Sequence, residues 1–442
     1  MLQRATNVFT RFVGPAALTA AGMIGAGAVA TRLLAGAWFG FGLLWVALIV
    51  IPMVIVTLDS ASRIAVTANG RGLIDMIRGD FGAWLAWLVV LPMVLVNIVV
   101  NMSQMSAMVE GAYGAMGLLP PAGGQTTLGL VIVTVVLTST TVLAAVLGGY
   151  RRTEKIMTAL LVVILVSFIL VAIKGLLDWT TWPALAAGLV PQIPPDVPVV
   201  DQINRQRSAY TQIMAIAGQA LPPAVFLSYG YLTANSGYTV SDIKKAFWKT
   251  VTNLGVVWGL FSIVVIVAGA TALHNVYTGD GPTHLGVRHY SQIESIPVAG
   301  QVLGPAFPGA LGFLAPRFFS LGLIAAAFTT LISVSLTMTY FCLDVARKNW
   351  KFTYDNPLFK RVFATWITVP ALVAPFWPLP ALLKAILAMV GNLLMAPLAV
   401  LIILYYVNRP ALGEFRANAR RNAVLGVTFL FALALVINGL RP

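Results

Sequence analysis

Apolar positions along this chain gather into eleven long runs separated by short polar linkers. The runs cover approximately residues 13–36, 41–58, 83–113, 126–147, 156–175, 211–233, 251–273, 318–342, 362–378, 383–407 and 422–439. About 20 consecutive apolar residues are the length of a helix crossing a bilayer, and a helix satisfies its own backbone polar groups there. The pattern therefore predicts eleven transmembrane helices packed as one bundle, a single domain over 1–442. Two linkers are longer, 176–210 and 274–317, and both are rich in Pro and Gly. Pro191, Pro194, Pro195 and Pro198 favour extended backbone in the first of them.

Composition agrees. Of 442 residues, 59% are hydrophobic and only 10% charged, with mean hydropathy +0.88, against about 25% charge in a soluble domain. A soluble enzyme, a disordered chain and a disulfide scaffold are excluded. The net charge of +14 comes from 28 Lys+Arg against 14 Asp+Glu. In a chain this apolar it marks membrane-flanking loops, not nucleic-acid binding. Arg63, Arg71, Arg78, Arg151, Arg152, Lys155, Lys244, Lys245, Lys249, Arg347, Lys348, Lys360, Arg409 and Arg421 fall on one side of the predicted spans, with few basic residues on the other. This predicts a multi-pass protein of the inner (plasma) membrane, N-terminus cytoplasmic and C-terminus outside. The single cysteine, Cys342, forms no intramolecular disulfide. His274, His284 and His289 share one loop region, and no His pair lies within a span. The N-terminal stretch lacks a signal-peptide cleavage pattern.

Two runs look interrupted. Gly22, Gly25 and Gly27 crowd the middle of the first, and Pro222-Pro223 bisects the sixth. Adjacent prolines remove two backbone donors and obstruct the preceding turn. Breaks in the first and sixth spans fit two five-helix halves related by inversion, about 13–175 and 211–407, followed by an extra helix at about 422–439. In such folds the breaks build the transport site near the middle of the membrane.

Several segments resemble the NRAMP metal-transporter family: LLAGAWFGFGLLWV at 33–46, GGYRRTEKIM at 148–157 and DIKKAF at 242–247. The resemblance implies an all-α, LeuT-like fold of ten core helices plus one, with helices one and six broken. It also implies specific losses. Where the family carries Asp-Pro-Gly-Asn in helix one, this chain reads Gly25-Ala26-Gly27-Ala28. Where helix six carries Met-Pro-His, it reads Pro222-Pro223-Ala224. The Asp and Glu of helix three align with Asn101 and Gln104, a helix-eight Gln with Phe328, and a second helix-six His with Tyr229. NRAMP-related magnesium transporters keep an acid in the helix-one loop, and this chain does not. Among its acids only Glu110 falls inside a predicted run.

Transition metals need carboxylate, imidazole or thioether ligands to offset dehydration, so these losses point away from them. The half-helices after each break would direct unpaired N–H groups into one cavity, a geometry that suits anions. The expected substrate is a small inorganic anion. Resemblance to NRAMP-related proteins that have lost the metal motif and look like bicarbonate transporters makes bicarbonate the first choice. The expected substrate-binding residues are Gly25, Ala26, Gly27, Ala28, Gln219, Ala220, Leu221, Pro222, Pro223 and Ala224, with Arg32, Asn101, Gln104, Tyr229, Phe328 and Thr329 as accessories. Arg32 either adds positive potential or snorkels to the interface. Asn101 and Gln104 are expected mainly to join helices, and Lys384 and Arg317 to be interface anchors. The alternative is a Mg²⁺ or Mn²⁺ transporter with a site rebuilt from Gln219, Asn101 and backbone carbonyls. A neutral organic substrate is a third reading. No catalytic constellation suggests an enzyme, and no cofactor is implied. The coupling ion, Na⁺ or H⁺, stays open, as does the oligomeric state.

Overall fold

The computed structural model describes residues 15–440 apart from 17–18, 69–70, 121–126, 147–149, 199–205, 275–294, 308 and 352–355. The helix-four-to-five segment 148–157 falls partly outside these residues, as do His284 and His289.

The expected runs are helices. They are α1 (Ala26–Phe39), α2 (Leu44–Thr67), α3 (Ala83–Ala115), α4 (Leu128–Val146), α5 (Tyr150–Leu176), α6 (Ala209–Ala220) and α7 (Pro223–Asn235). After them come α8 (Gly259–Ala272), α9 (Leu314–Val345), α10 (Pro357–Val373), α11 (Ala381–Val407) and α12 (Ala419–Gly439). Among the described residues nine helices, counting α6 and α7 together, are long and apolar enough to cross a membrane. A tenth appears when Val162–Leu176 and the sharply bent Trp179–Gly188 are taken as one span. The first span escapes that test because its second half, α1, has only 14 residues. Side-chain caps start several helices: Asn356 accepts from Phe359 N–H at 3.1 Å and Asn418 from Arg421 N–H at 2.9 Å, each satisfying an otherwise orphaned donor.

Both breaks are present. Residues 19–23 are helical, Gly25 is extended (φ −109°, ψ −173°), and α1 restarts at Ala26. In the sixth span Leu221 leaves helical geometry and Pro222 is extended (φ −72°, ψ 114°), so α7 opens on Pro223. The prolines cause this break directly, because neither can donate to the turn before it. α6 and α7 are almost wholly buried, whereas α4 and α12 are largely exposed. Leu128, Ile132, Val135 and Val136 on α4, and Leu88, Leu91 and Leu95 on α3, face outward. Such surfaces are stable against lipid, not water. The long linker between α5 and α6 departs from pure helix: Val197–Pro198 pairs antiparallel with Gln206–Arg207.

Two sequence expectations need correction here. Hydropathy ends the second and eighth spans at 58 and 342, but α2 and α9 run on to Thr67 and Val345. Asp59 and Asp344 therefore lie inside helices and are buried, at 1% and 4% exposure. Asp59 pairs with Arg63 of its own helix at 2.9 Å and with Arg421 of α12 at 2.6 Å. Asp344 accepts from the Tyr231 hydroxyl and from the Asp75 backbone N–H. Pairing, which hydropathy does not register, keeps these carboxylates in the bundle. Lys384 is likewise no interface anchor. It is 3% exposed and donates to Ser106 Oγ at 2.8 Å and Ala374 O at 3.0 Å.

Candidate functional site

The two breaks face a cavity of about 50 Å³ in the interior of the bundle. From the first break it is lined by Gly22, Met23, Gly25, Gly27 and Ala28, and from the sixth span by Gln219, Pro222, Ala224 and Val225. α3 adds Asn97, Val100 and Gln104, α9 adds Thr330, Ser333, Val334 and Thr337, and α11 adds Met389 and Asn392.

Close backbone approach sets its walls. A Cβ on Gly25 would lie 2.2 Å from Thr330 Oγ1, and one on Gly218 would lie 1.9 Å from Met389 O. Thr330 donates to Gly22 O at 2.7 Å, tying α9 to the carbonyl end of the first half-span. Gln219 ties the sixth span to the first by donating from Nε2 to Met23 O at 2.7 Å.

The polar atoms left over are acceptors. Gln219 Oε1 and Asn392 Oδ1 are buried and have no hydrogen-bond partner. Gln219 cannot simply be turned over, because its Nε2 faces a carbonyl that only a donor can satisfy. An unpaired buried amide oxygen costs about 1–3 kcal/mol, which a ligand or water in the cavity offsets. One donor at the start of α1 is taken, because Ala26 N–H donates to Gln104 Oε1 at 3.1 Å. The N-cap residues of α1 and α7, Gly25 and Pro222, supply no side-chain cap.

Of the sequence-predicted residues, Gly25, Gly27, Ala28, Gln104, Gln219, Pro222 and Ala224 line the cavity. Ala26, Ala220, Leu221 and Pro223 belong to the breaks without lining it. The remaining accessories lie elsewhere. Asn101 donates to Ser335 Oγ at 3.0 Å and Trp366 O at 2.9 Å, joining α3 to α9 and α10. Tyr229 pairs with Thr250, Phe328 packs in the core, and Thr329 bonds to Ala326 O while its neighbour Thr330 lines the cavity. Arg32 does not snorkel: it is 0% exposed. Sequence reasoning missed Met389 and Asn392. A single Asn in the apolar run 383–407 was the available signal, since polar side chains inside a span are rare and mark function.

Among the described residues no three His, Cys, Asp or Glu side chains converge. The cavity offers amide and hydroxyl oxygens, the Met389 thioether and the carbonyl ends of broken helices.

The model of the Nramp family, described as natural resistance-associated macrophage protein-like, matches residues 16–441. The chain belongs to this family. This Nramp protein is 24% identical over 332 residues to a divalent metal cation transporter MntH of Verminephrobacter eiseniae, covering 74% of this chain and 67% of the relative. It is 25% identical over 348 residues to a protein of the same name from Brucella suis, covering 77% and 68%. In three dimensions it superposes on a variant of the Eremococcus coleocola manganese transporter with a TM-score of 0.70 at 17% identity, over 96% of this chain and 85% of that one. It superposes on MhsT in complex with L-phenylalanine with a TM-score of 0.64 at 15% identity, over 96% and 97%. The protein is a multi-pass, LeuT-fold membrane transporter.

Proposed function

We propose that this Nramp transporter carries a divalent cation through the cavity between its two broken helices, held by neutral oxygens with part of its water shell retained. The observation carrying this is the pair of unpartnered acceptors, Gln219 Oε1 and Asn392 Oδ1, in a cavity beside which Gln104 takes the Ala26 N–H at the start of α1. Unpaired amide oxygens suit a cation or its bound waters. Mg²⁺ in particular dehydrates reluctantly and is commonly held through water, and Mn²⁺ is likewise suited by carbonyl and water oxygens. The names of the two bacterial relatives support the same class of substrate. This reading replaces the small anion as the first choice.

The anion reading, with bicarbonate foremost, has one observation in its favour: no carboxylate lines the cavity, and the start of α7 is uncapped. Purified protein in liposomes separates the two. Labelled Mn²⁺ and Mg²⁺ are offered beside labelled bicarbonate, with empty liposomes as control. Protein-dependent metal uptake is expected; bicarbonate uptake without metal uptake would reverse the assignment. The distribution of basic residues supports an N-terminus on the cytoplasmic side of the plasma membrane, which accessibility of single introduced cysteines in intact cells would test.

A further inference from the structure

One turn beyond the cavity, two neighbouring buried side chains carry three donor atoms that have no acceptor among the described residues. Arg32, four residues past Ala28 on α1, is wholly buried. Its Nη1 donates to Thr31 Oγ1 at 3.0 Å, but Nε and Nη2 have no partner. Its Cζ lies 5.1 Å from the ring centroid of Trp258. Trp258 is also fully buried, and its indole Nε1 is likewise unpartnered. Among the described residues no carboxylate pairs with Arg32. Neither side chain lines the central cavity.

Packing keeps the guanidinium in place. α1 and α8 cross backbone to backbone: a Cβ on Gly36 would lie 2.2 Å from Ile266 O, and one on Gly269 2.6 Å from Leu33 O. Trp258 ends a stretch, Val251–Trp258, wound as a wider π turn before α8. Such turns reposition side chains and recur at functional sites. Stacking on the indole face attracts the cation, yet it satisfies none of the three N–H groups, and a buried charge without a counter-ion is among the most costly groups in a protein.

We infer that Arg32 and Trp258 form a binding site for a small inorganic monovalent anion, distinct from the transport cavity. Two guanidinium N–H groups and one indole N–H are a donor set for a halide, nitrate or bicarbonate. An anion there would also neutralise a positive charge standing about 6 Å along the helix from Ala28, lowering the field against a cation in the cavity.

The test is thermal unfolding of the full chain in detergent, in gluconate at fixed ionic strength, while chloride, nitrate or bicarbonate replaces gluconate. Wild-type protein should gain stability along a saturable curve, as any ligand specific to the folded state requires. The order among the three anions identifies the preferred one. Trp258→Phe keeps the ring and removes one donor, and Arg32→Lys keeps the charge and removes the fork. Each should weaken apparent anion affinity about tenfold or abolish the effect. Identical unfolding in gluconate and in all three anions, or a wild-type titration in either variant, would overturn the site. Metal uptake is read separately, so an intact anion titration without Mn²⁺ or Mg²⁺ uptake sinks only the cation reading.

Discussion

Around the central cavity the buried polar groups are the amides Asn97, Gln104, Gln219 and Asn392 and the hydroxyls of Thr330 and Thr337, and two of the amides keep an oxygen unpaired. At the end of the bundle where α2 and α9 finish, the buried polar groups are the carboxylates Asp59 and Asp344, and both are held by donors from other segments. No charged side chain lines the central cavity, whereas Asp59 and Asp344 sit where fixed partners surround them. Full ionic pairs make good latches between helices. Neutral oxygens bind more weakly and release more readily, and a transport site must release its cargo.

The comparison breaks hardest at the latch. Asp59→Ala leaves Arg63 and Arg421 facing each other around a gap in the interior. Removing one member of a buried ionic cluster costs about 3–5 kcal/mol, and α12 loses a tie to α2. The expected outcome is a large drop in the unfolding temperature of the purified protein. A shift no greater than that of a surface Asp→Ala control would show that the cluster is solvated and not a latch. Gly218→Ala comes next. Its methyl meets the Met389 carbonyl, a backbone atom that cannot rotate away, so α6 and α11 must separate. Overpacking of this kind costs about 1–3 kcal/mol, and because both helices line the cavity, uptake should fall with stability.

Much of this arrangement was legible in the residues. Long apolar runs predict the helices, and the Gly25 region and Pro222-Pro223 predict the breaks, because both act through the local backbone. The polar wiring was less legible, since it depends on which helices become neighbours. Gln104 reads as a helix-joining amide, but only the fold shows that it caps Ala26. Hydropathy stops before Asp59 and Asp344 because it scores a carboxylate as exposed whether or not a donor waits across the interface. Arg32 and Lys384 mislead for the same reason: a long basic side chain near a span end usually reaches water, and here packing of α1 on α8, and the Ser106 and Ala374 acceptors, hold them inside.

Gln219 tests the cavity side. Gln219→Leu removes both the tie to Met23 and the free oxygen, and uptake of Mn²⁺ should fall about tenfold or more, equivalent to losing one ligand worth roughly 1.4 kcal/mol. Gln219→Glu keeps the shape and supplies a negative charge. If the cargo is a cation, the Glu variant should retain more metal uptake than the Leu variant; if the cargo is an anion, it should be the more damaged of the two. The pair of variants therefore reads the sign of the cargo independently of its identity.

Asn392 gives the smallest and most discriminating effect. Among the described residues its Nδ2 has one hydrogen-bond partner, the Met389 sulfur at 3.8 Å, and its Oδ1 has none. Asn392→Ala therefore removes no strong bond from the fold and relieves an unpaired buried acceptor. Stability should stay level or rise slightly, by up to about 1 kcal/mol, while metal uptake falls a few-fold through a raised KM. That split, with the protein no less stable and less able to bind, is the signature of an atom kept unsatisfied for a ligand. A loss of stability with unchanged uptake would instead make Asn392 an ordinary packing residue and leave the cargo to Gln219.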